Sequence, residues 1–188
     1  MSSKSKKILV TGVAGFLGSH LAEKLVHMGH SVIGIDSMLG GYEDNVPKNI
    51  EFHKGDCCDF KKVKSIMKGV DVVYHCAATA HEGLSVFSPF EITKNNYLAS
   101  VSIFSAAVNE KVKRIIFCSS MARYGGQQTP FTEEMKPKPV DPYAISKVAS
   151  EQVLKNLCDL NNIEWVIAVP HNIIGPRQKY DDPFRNVV

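Results

Sequence analysis

Short apolar runs alternate with longer amphipathic segments along the chain. Residues 8–10 and 115–117 are apolar at consecutive positions, so both faces of each run must be covered, as in parallel strands packed between helices. The longer segments repeat their apolar residues with the spacing of amphipathic helices. The pattern therefore predicts an α/β fold, a doubly wound parallel sheet with helices on both faces.

The predicted elements cover most of the chain. Residues 124–142 hold a Gly-Gly pair and four prolines, which excludes a long regular element and predicts a loop. The predicted strands are residues 7–11, 31–36, 50–54, 70–75, 114–119 and 165–170, and the predicted helices are residues 15–28, 60–67, 90–110 and 143–160.

Composition favours one domain and excludes several classes of partner. The chain has 188 residues, 44% hydrophobic and 22% charged, which suffices for one buried core. Its net charge of +3 equals the contribution of Lys4, Lys6 and Lys7, so we expect neither nucleic acid nor an anionic membrane as partner. No apolar stretch approaches the roughly 18 residues that span a bilayer. We expect a cytoplasmic protein with a flexible tail at residues 1–7.

The five cysteines are an odd number and include no C-x-x-C pair. This pattern fits neither a disulfide framework nor a zinc site, so we expect free thiols and no metal. The cysteines are Cys57, Cys58, Cys76, Cys118 and Cys158.

Three glycines follow the first predicted strand and open the first predicted helix. Gly12 would allow a tight turn, Gly15 would let the main chain approach a pyrophosphate, and Gly18 would permit close packing of helix on strand. Glycines also serve plain turns, so the triplet alone is weak. Its position between strand and helix indicates a dinucleotide site, and hence a Rossmann-type sheet.

An acidic residue ends the second predicted strand. Asp36 lies near the spacing expected for the carboxylate that binds a ribose diol. A carboxylate repels a 2′-phosphate, and residues 37–41 contain no arginine, so NAD is favoured over NADP as the cofactor. Asp56, after the third strand, could meet the adenine edge, or could simply form a turn.

A phenol and an ammonium lie four residues apart at the start of the last predicted helix, hence on one face. The charge of Lys147 would stabilise the phenolate of Tyr143 and make it a usable base. The same spacing also arises by accident in amphipathic helices. A second signal is Ser120, which follows the fifth strand at the sheet edge where open α/β folds bind ligands, although a capping role would explain a serine there too.

The polar loop after the fourth predicted strand contains His81, Glu82 and Gly83. These residues are candidate substrate contacts, with an ordinary surface loop as the alternative.

In combination, these motifs resemble the extended short-chain dehydrogenase/reductases, specifically the NAD-dependent nucleotide-sugar epimerase/dehydratase group that includes UDP-galactose 4-epimerase. The resemblance extends over residues 8–188. The motifs are T-G-V-A-G-F-L-G-S-H at 11–20, G-D at 55–56, H-C-A-A at 75–78, N-N at 95–96, S-S-M-A-R-Y-G at 119–125, Y-A-I-S-K at 143–147 and P-H-N-I-I-G-P-R at 170–177.

The resemblance assigns a role to each matching position. It implies a catalytic triad of Ser120, Tyr143 and Lys147, with Ser120 also touching substrate and the other two also touching cofactor. It implies substrate contact by Asn172. The remaining positions implied for the cofactor are Phe16 and Leu17 at the pyrophosphate turn, Asp56 and Cys57 at adenine, Cys76, Ala77 and Ala78 at the ribose and nicotinamide, Asn95 as a support of the site backbone, and His171 at the nicotinamide.

The residues after the catalytic serine separate the branches of this family. Sugar 4,6-dehydratases carry an Asp-Glu pair there, and the decarboxylases of the group carry a glutamate at the second position. Met121 and Ala122 occupy these places and cannot move a proton. The resemblance therefore implies NAD-dependent epimerisation of a nucleotide-activated sugar, UDP-sugar 4-epimerase-like, through a transient 4-keto intermediate.

Two alternatives stay open: another nucleotide-sugar oxidoreductase, such as a keto-sugar reductase or uronic-acid epimerase, and a non-catalytic NAD-binding domain. Relatives form homodimers through a four-helix seam, to which residues 90–110 and 143–160 would contribute. Val101, Ile103 and Phe104 permit this seam, but core packing would give the same pattern. Relatives also continue into a substrate lobe, so we expect residues 175–188 to begin that lobe and the chain to be a fragment.

Overall fold

Helices and parallel strands alternate in the computed structural model, which describes residues 5–182. The strands form one sheet in the order β3-β2-β1-β4-β5-β6, with every neighbouring pair parallel. The chain winds outward first from β1 to β3 and then from β4 to β6, so the doubly wound Rossmann-type fold is confirmed. The strands are β1 Lys7–Thr11, β2 Ser31–Asp36, β3 Glu51–Lys54, β4 Val72–His75, β5 Arg114–Cys118 and β6 Glu164–Ala168.

The helices pack on both faces of the sheet. Their bounds are α1 Phe16–His27, α2 Phe60–Ile66, α3 Glu82–Ser85, α4 Pro89–Thr93, α5 Ala99–Asn109 and α6 Pro142–Asn161, with short 3-10 turns at Glu43–Asn45 and Met121–Tyr124. Within residues 5–182, no helix combines the length and apolarity needed to cross a bilayer.

Side-chain alternation along the strands separates two apolar cores. Leu9 and Ile33 point to the face covered by α2, α5 and α6, whereas Ile8 and Val10 point to the face covered by α1. The first core is the larger. Ile103 and Phe104 are fully buried in it, so core packing, not a dimer seam, explains these two positions of the predicted helix.

The helix predicted over residues 90–110 is present as continuous helical chain, but it is not a regular α-helix throughout. The chain forms α4, then one π-helical stretch over Lys94–Leu98, then α5. A π turn widens the helix by one residue, so periodicity alone does not reveal it. The stretch carries Asn95 and Asn96. Both contact Thr79 in the loop that follows β4, residues 76–79, which we call the cleft loop.

The described residues of the predicted tail, 5–7, contact the rest of the fold, and the last of them belongs to β1. Lys7 begins β1, its backbone N–H donates to Asp71, and the Ser5 hydroxyl donates to Gly29 O. Pairing with neighbouring elements fixes this segment although its sequence is polar. Residues 1–4 and 183–188 lie outside the described residues, and with them part of the predicted start of a substrate lobe.

Candidate active site

A cleft of about 580 Å³ opens at the carboxyl ends of the strands. It lies where the chain changes winding direction between β1 and β4, the usual ligand position in an open α/β sheet. Every site residue predicted from the sequence lines it: Gly12, Gly15, Phe16, Leu17, Gly18, Asp36, Asp56, Cys57, Cys76, Ala77, Ala78, His81, Asn95, Ser120, Tyr143, Lys147, His171 and Asn172. The structure thus brings these residues together, and the role of each stays a prediction.

The glycine turn has the geometry that its sequence indicates. Gly12 has a φ of +71°, and a Cβ there would lie 2.8 Å from Ala77 N. A Cβ on Gly18 would lie 2.1 Å from Gly12 O, so only glycine lets α1 pack this closely. The turn therefore leaves a narrow space beside the start of α1, where backbone N–H groups favour a phosphate.

The carboxylate at the end of β2 is held by the backbone. Asp36 is buried, and its two oxygens accept hydrogen bonds from Ala14 N at 2.9 Å and Met38 N at 2.8 Å. Each carboxylate oxygen has a second lone pair, which remains suited to a ribose hydroxyl. Asp36 therefore fits the ribose-binding role while it also fixes the glycine turn.

Asp56 forms a turn and also lines the cleft, so its predicted contact with adenine stays a prediction. Its Oδ1 accepts from Cys58 N at 2.8 Å, which forms a turn, and the residue also lines the cleft. The Lys94 ammonium lies 3.9 Å from its other oxygen. The turn former and the candidate adenine contact are therefore the same residue.

All five cysteines are free thiols, as predicted. Burial raises the pKa of the thiols of Cys57 and Cys76 far above their usual range, and a weaker effect of the same kind acts on Cys118. These groups are neutral at physiological pH and serve as cleft wall rather than as nucleophiles.

The candidate catalytic residues lie on α6 and on the loop after β5. Tyr143 and Lys147 are both buried at the cleft, and the Lys147 ammonium lies 5.9 Å from the centre of the Tyr143 ring. The ammonium donates to Cys118 O at 2.8 Å, which anchors it to the end of β5. Ser120 Oγ accepts from Ala122 N at 3.2 Å, a bond that uses a lone pair and leaves the hydroxyl proton for a ligand oxygen. Asp141 caps α6 by accepting from Ala144 N, so the helix start that carries Tyr143 is fixed.

A buried ion pair that the sequence analysis missed connects these two elements. The Glu151 carboxylate, on α6, accepts from the Ser119 hydroxyl and lies 3.1 Å from the Arg123 guanidinium. All three residues are buried. The signal was present in the sequence, because Glu151 follows Tyr143 and Lys147 at successive four-residue steps on one helix face.

The support role that the resemblance assigned to Asn95 belongs mainly to Asn96. The Asn96 side chain accepts from Thr79 N at 2.7 Å and donates to Thr79 O at 3.2 Å, so it fixes the backbone of the cleft loop. Asn95 donates only to the Thr79 hydroxyl, at 3.3 Å, and its side chain faces the cleft. Asn95 and Asn96 lie in the π turn, where side chains point in other directions than in a regular α-helix. The π turn therefore explains why Asn96, rather than Asn95, holds the loop backbone.

Loops form the side of the cleft that carries the predicted substrate contacts His81 and Asn172. His81 Nε2 lies 2.7 Å from an Asp182 carboxylate oxygen, so this candidate substrate contact also binds the last described segment. That segment returns over the glycine turn, where the Asn45 amide bridges Ala14 O and Arg177 O. His171 and Asn172 are exposed on the cleft wall.

The residues present fit a dinucleotide cofactor. The glycine turn excludes side chains where a pyrophosphate would lie, Asp36 offers acceptors at the β2 end, and Tyr143 and Lys147 face the β4–β5 side. The adenosine half and the nicotinamide half of the cofactor would thus bind to separate walls of the cleft. These walls lie on the two sides of the point between β1 and β4 where the chain changes winding direction.

Comparisons with known proteins agree with this geometry. The model of the NAD dependent epimerase/dehydratase family matches residues 8–187. UDP-glucose 4-epimerase of Streptomyces lividans is 31% identical over 176 residues, which are 91% of this chain and 53% of that protein. The dTDP-D-glucose 4,6-dehydratase of Bos taurus is 34% identical over 187 residues, 94% of this chain and 53% of that protein. The chain spans about half the length of these relatives.

A solved structure shows the same fold. UDP-glucose 4-epimerase of Thermus thermophilus in complex with NAD matches with a TM-score of 0.86 at 33% identity, covering 92% of this chain and 57% of that one. The matched family is described as NAD dependent, and the residues predicted to bind NAD line the cleft described above. The chain belongs to the NAD-dependent epimerase/dehydratase family, and NAD is its cofactor.

Proposed function

We propose that this chain catalyses NAD-dependent 4-epimerisation of a nucleotide-activated sugar, of the UDP-sugar type, through a transient 4-keto sugar. The observation that carries the proposal is the grouping of Ser120, Tyr143 and Lys147 on one cleft wall beside the candidate nicotinamide side. Relatives named UDP-glucose 4-epimerase support the choice of substrate class.

The proposed division of work follows from the side-chain chemistry. Tyr143, as phenolate, takes the proton of the sugar C4 hydroxyl and later returns it to the same oxygen. Lys147 stabilises the phenolate by its charge and is held in place by Cys118 O. Ser120 donates its hydroxyl proton to the C4 oxygen and orients it. NAD, when bound, would supply the redox chemistry as the acceptor and donor of the C4 hydride.

The residues beside Ser120 favour epimerisation over dehydration. Elimination of water needs an acid at the leaving hydroxyl and a base at C5. Met121 and Ala122 begin the 3-10 turn after Ser120 and have no group that can transfer a proton. We therefore prefer the epimerase over the dehydratase, although a dehydratase is among the similar proteins.

The cofactor and substrate contacts are part of the proposal. We assign Gly12, Gly15 and the start of α1 to the pyrophosphate, and Asp36 to the adenosine ribose. The further cofactor contacts are Phe16, Leu17, Gly18, Asp56, Cys57, Cys76, Ala77, Ala78, Asn95 and His171, and the substrate contacts are His81, Ser120 and Asn172.

A homodimer is proposed on the exposed apolar residues of α4 to α6. Phe90, Leu98 and Ile145 are more than half exposed, and exposed apolar side chains on neighbouring helices are candidates for a protein–protein contact. A second copy that packs these helices together would cover them. We also place the protein in the cytoplasm, where its five free thiols would stay reduced.

The test is turnover of UDP-, GDP- and dTDP-sugars by NAD-loaded protein. Interconversion of UDP-glucose and UDP-galactose without net NADH supports the proposal. Net consumption of added NADH would instead indicate a keto-sugar reductase, and NAD binding without conversion of any sugar would indicate a non-catalytic domain.

A further inference from the structure

A buried histidine outside the proposed mechanism joins four elements around the cleft. His75 ends β4 and has no solvent exposure. Its Nδ1 lies 2.7 Å from Thr11 Oγ1 at the end of β1, and its Nε2 lies 2.9 Å from Ser100 Oγ on α5. Its ring packs against Phe104 and Phe117 in the core.

The hydrogen bonds of the Thr11 hydroxyl determine which ring nitrogen of His75 carries the proton. Thr11 Oγ1 accepts from Cys76 N at 3.1 Å and from Ala77 N at 3.0 Å, which occupies both of its lone pairs. Its own proton must therefore go to His75 Nδ1. Nε2 then carries the ring proton and donates it to Ser100 Oγ.

The chain of bonds continues to the other end of the cleft loop. The Ser100 hydroxyl donates to Asn96 O at 2.5 Å, and the Asn96 side chain holds the N–H and carbonyl of Thr79. Residues 76–79 are thus fixed at their start through Thr11 and at their end through Asn96. His75 is the group that both connections share.

Two independent arguments keep this imidazole neutral. An added proton on Nδ1 would face an oxygen whose lone pairs are both in use. Burial, with a smaller contribution from Lys147, lowers the pKa of His75 to about 3. The donor and acceptor pattern is therefore constant over the physiological pH range.

We propose that His75, as the neutral Nε2–H tautomer, is a positioning residue for the cofactor: it orients the Thr11 hydroxyl and the Asn96 segment, and thereby holds residues 76–79 against the nicotinamide half of NAD. These residues line the cleft on its β4 side, whereas Asp36, at the end of β2, lines the opposite, adenosine side. The effect should therefore fall on one half of the cofactor.

The test compares binding of NAD with binding of AMP, which probes the adenosine half alone. His75→Phe keeps the ring packing and removes both hydrogen bonds. Thr11→Val removes the shared hydroxyl at nearly constant volume, and Thr11→Ser is its matched control because it retains the hydroxyl. Dissociation constants are measured by titration calorimetry on the full chain, after circular dichroism has established that each variant is folded.

The proposal predicts a specific pattern of affinities. His75→Phe and Thr11→Val weaken NAD binding about tenfold, change AMP binding less than about twofold, and do not add in the double variant, because both break the same connection. Thr11→Ser retains NAD affinity within about twofold.

Other results overturn the proposal. They are wild-type NAD affinity in His75→Phe, equal weakening of NAD and AMP, or losses that multiply in the double variant. If His75→Phe does not fold, wild-type NAD affinity in Thr11→Val overturns the proposal, because the hydroxyl that His75 is proposed to orient would then not be needed. None of these readouts depends on sugar turnover.

Discussion

The two sides of the cleft are built differently. On the cofactor side, Thr11, Asp36, His75 and Asn96 are buried, and their polar atoms are engaged with backbone or with one another. On the predicted substrate side, Asn172 lies on an exposed loop. The scaffold thus fixes the half of the site that faces the cofactor, and places the half proposed to contact a sugar on loops, which tolerate sequence change.

The largest expected effect is on Tyr143, the proposed catalytic base, which lines the cleft. Tyr143→Phe should lower epimerase turnover about a thousandfold or more, since general base catalysis is removed. NAD affinity should stay within about threefold of the wild type, because the ring still packs on the cleft wall. Turnover and calorimetry check the two expectations, and a variant that retains a tenth of the activity would refute the assignment.

Loss of the buried Glu151–Arg123 ion pair, near the loop after β5, should cost far more unfolding free energy than loss of an exposed ion pair. Glu151→Leu leaves the buried Arg123 guanidinium without a counter-charge and should cost about 3–5 kcal/mol of unfolding free energy. Replacing Arg123 by Met in addition should recover much of the loss, because no buried charge is left unpaired.

The exposed Arg114–Glu164 pair is the matched control. Glu164→Ala should cost about 1 kcal/mol or less, because solvent screens that pair. Urea unfolding measures all of these variants. Equal losses in Glu151→Leu and Glu164→Ala would mean that burial does not distinguish the two pairs.

Substituting one glycine on each side of the cleft tests the comparison between the cofactor side and the predicted substrate side. Gly18→Ala places a Cβ 2.1 Å from Gly12 O and should cost about 1–3 kcal/mol of stability and weaken NAD binding. Gly83→Ala, on the substrate side, meets no atom within 4 Å and should be neutral. Thermal melting and NAD titration test the pair, and an unperturbed Gly18→Ala variant would contradict the close packing of α1.

The smallest expected effect is a pH dependence from His75. Its folded pKa of about 3 lies below the ordinary value of 6.5, so protons bind the unfolded chain preferentially. Its stabilising contribution is complete above pH 6.5 and declines as the pH falls toward 3. Lys147 is the charged group whose interaction adds to this shift, and the other neighbours Thr11, Ser100, Phe104 and Phe117 are neutral.

Between pH 7 and pH 5.5, the wild type should therefore lose about 1 kcal/mol more than His75→Phe in urea unfolding. Parallel pH curves for the two proteins would indicate that His75 has the same pKa in the folded and unfolded states, which would contradict its burial as a neutral ring.

The local sequence pattern predicted the strands and the glycine turn well. It predicted poorly the π turn and the buried polar residues that support the cleft. The bounds of β1 and β2 agree with the apolar runs, and the glycine turn and Tyr143–Lys147 have the predicted relation because each depends on neighbours in sequence. The π turn at Lys94–Leu98 escaped prediction because tertiary contacts, not propensity, stabilise it.

The pairing of Glu151 with Arg123, and of His75 with Thr11, joins residues far apart in the chain. Only the topology of the sheet makes them neighbours. Each lies within or beside a motif that sequence reasoning found, but the partner of each could not be derived from spacing.

The most direct test of the proposed chemistry uses UDP-galactose that carries deuterium at C4. We predict UDP-glucose that retains the deuterium at C4, with no NADH released, because hydrogen leaves and returns within one site. Loss of the label to solvent, formation of a dehydrated 4-keto sugar, or absence of any conversion by NAD-loaded protein would contradict the account.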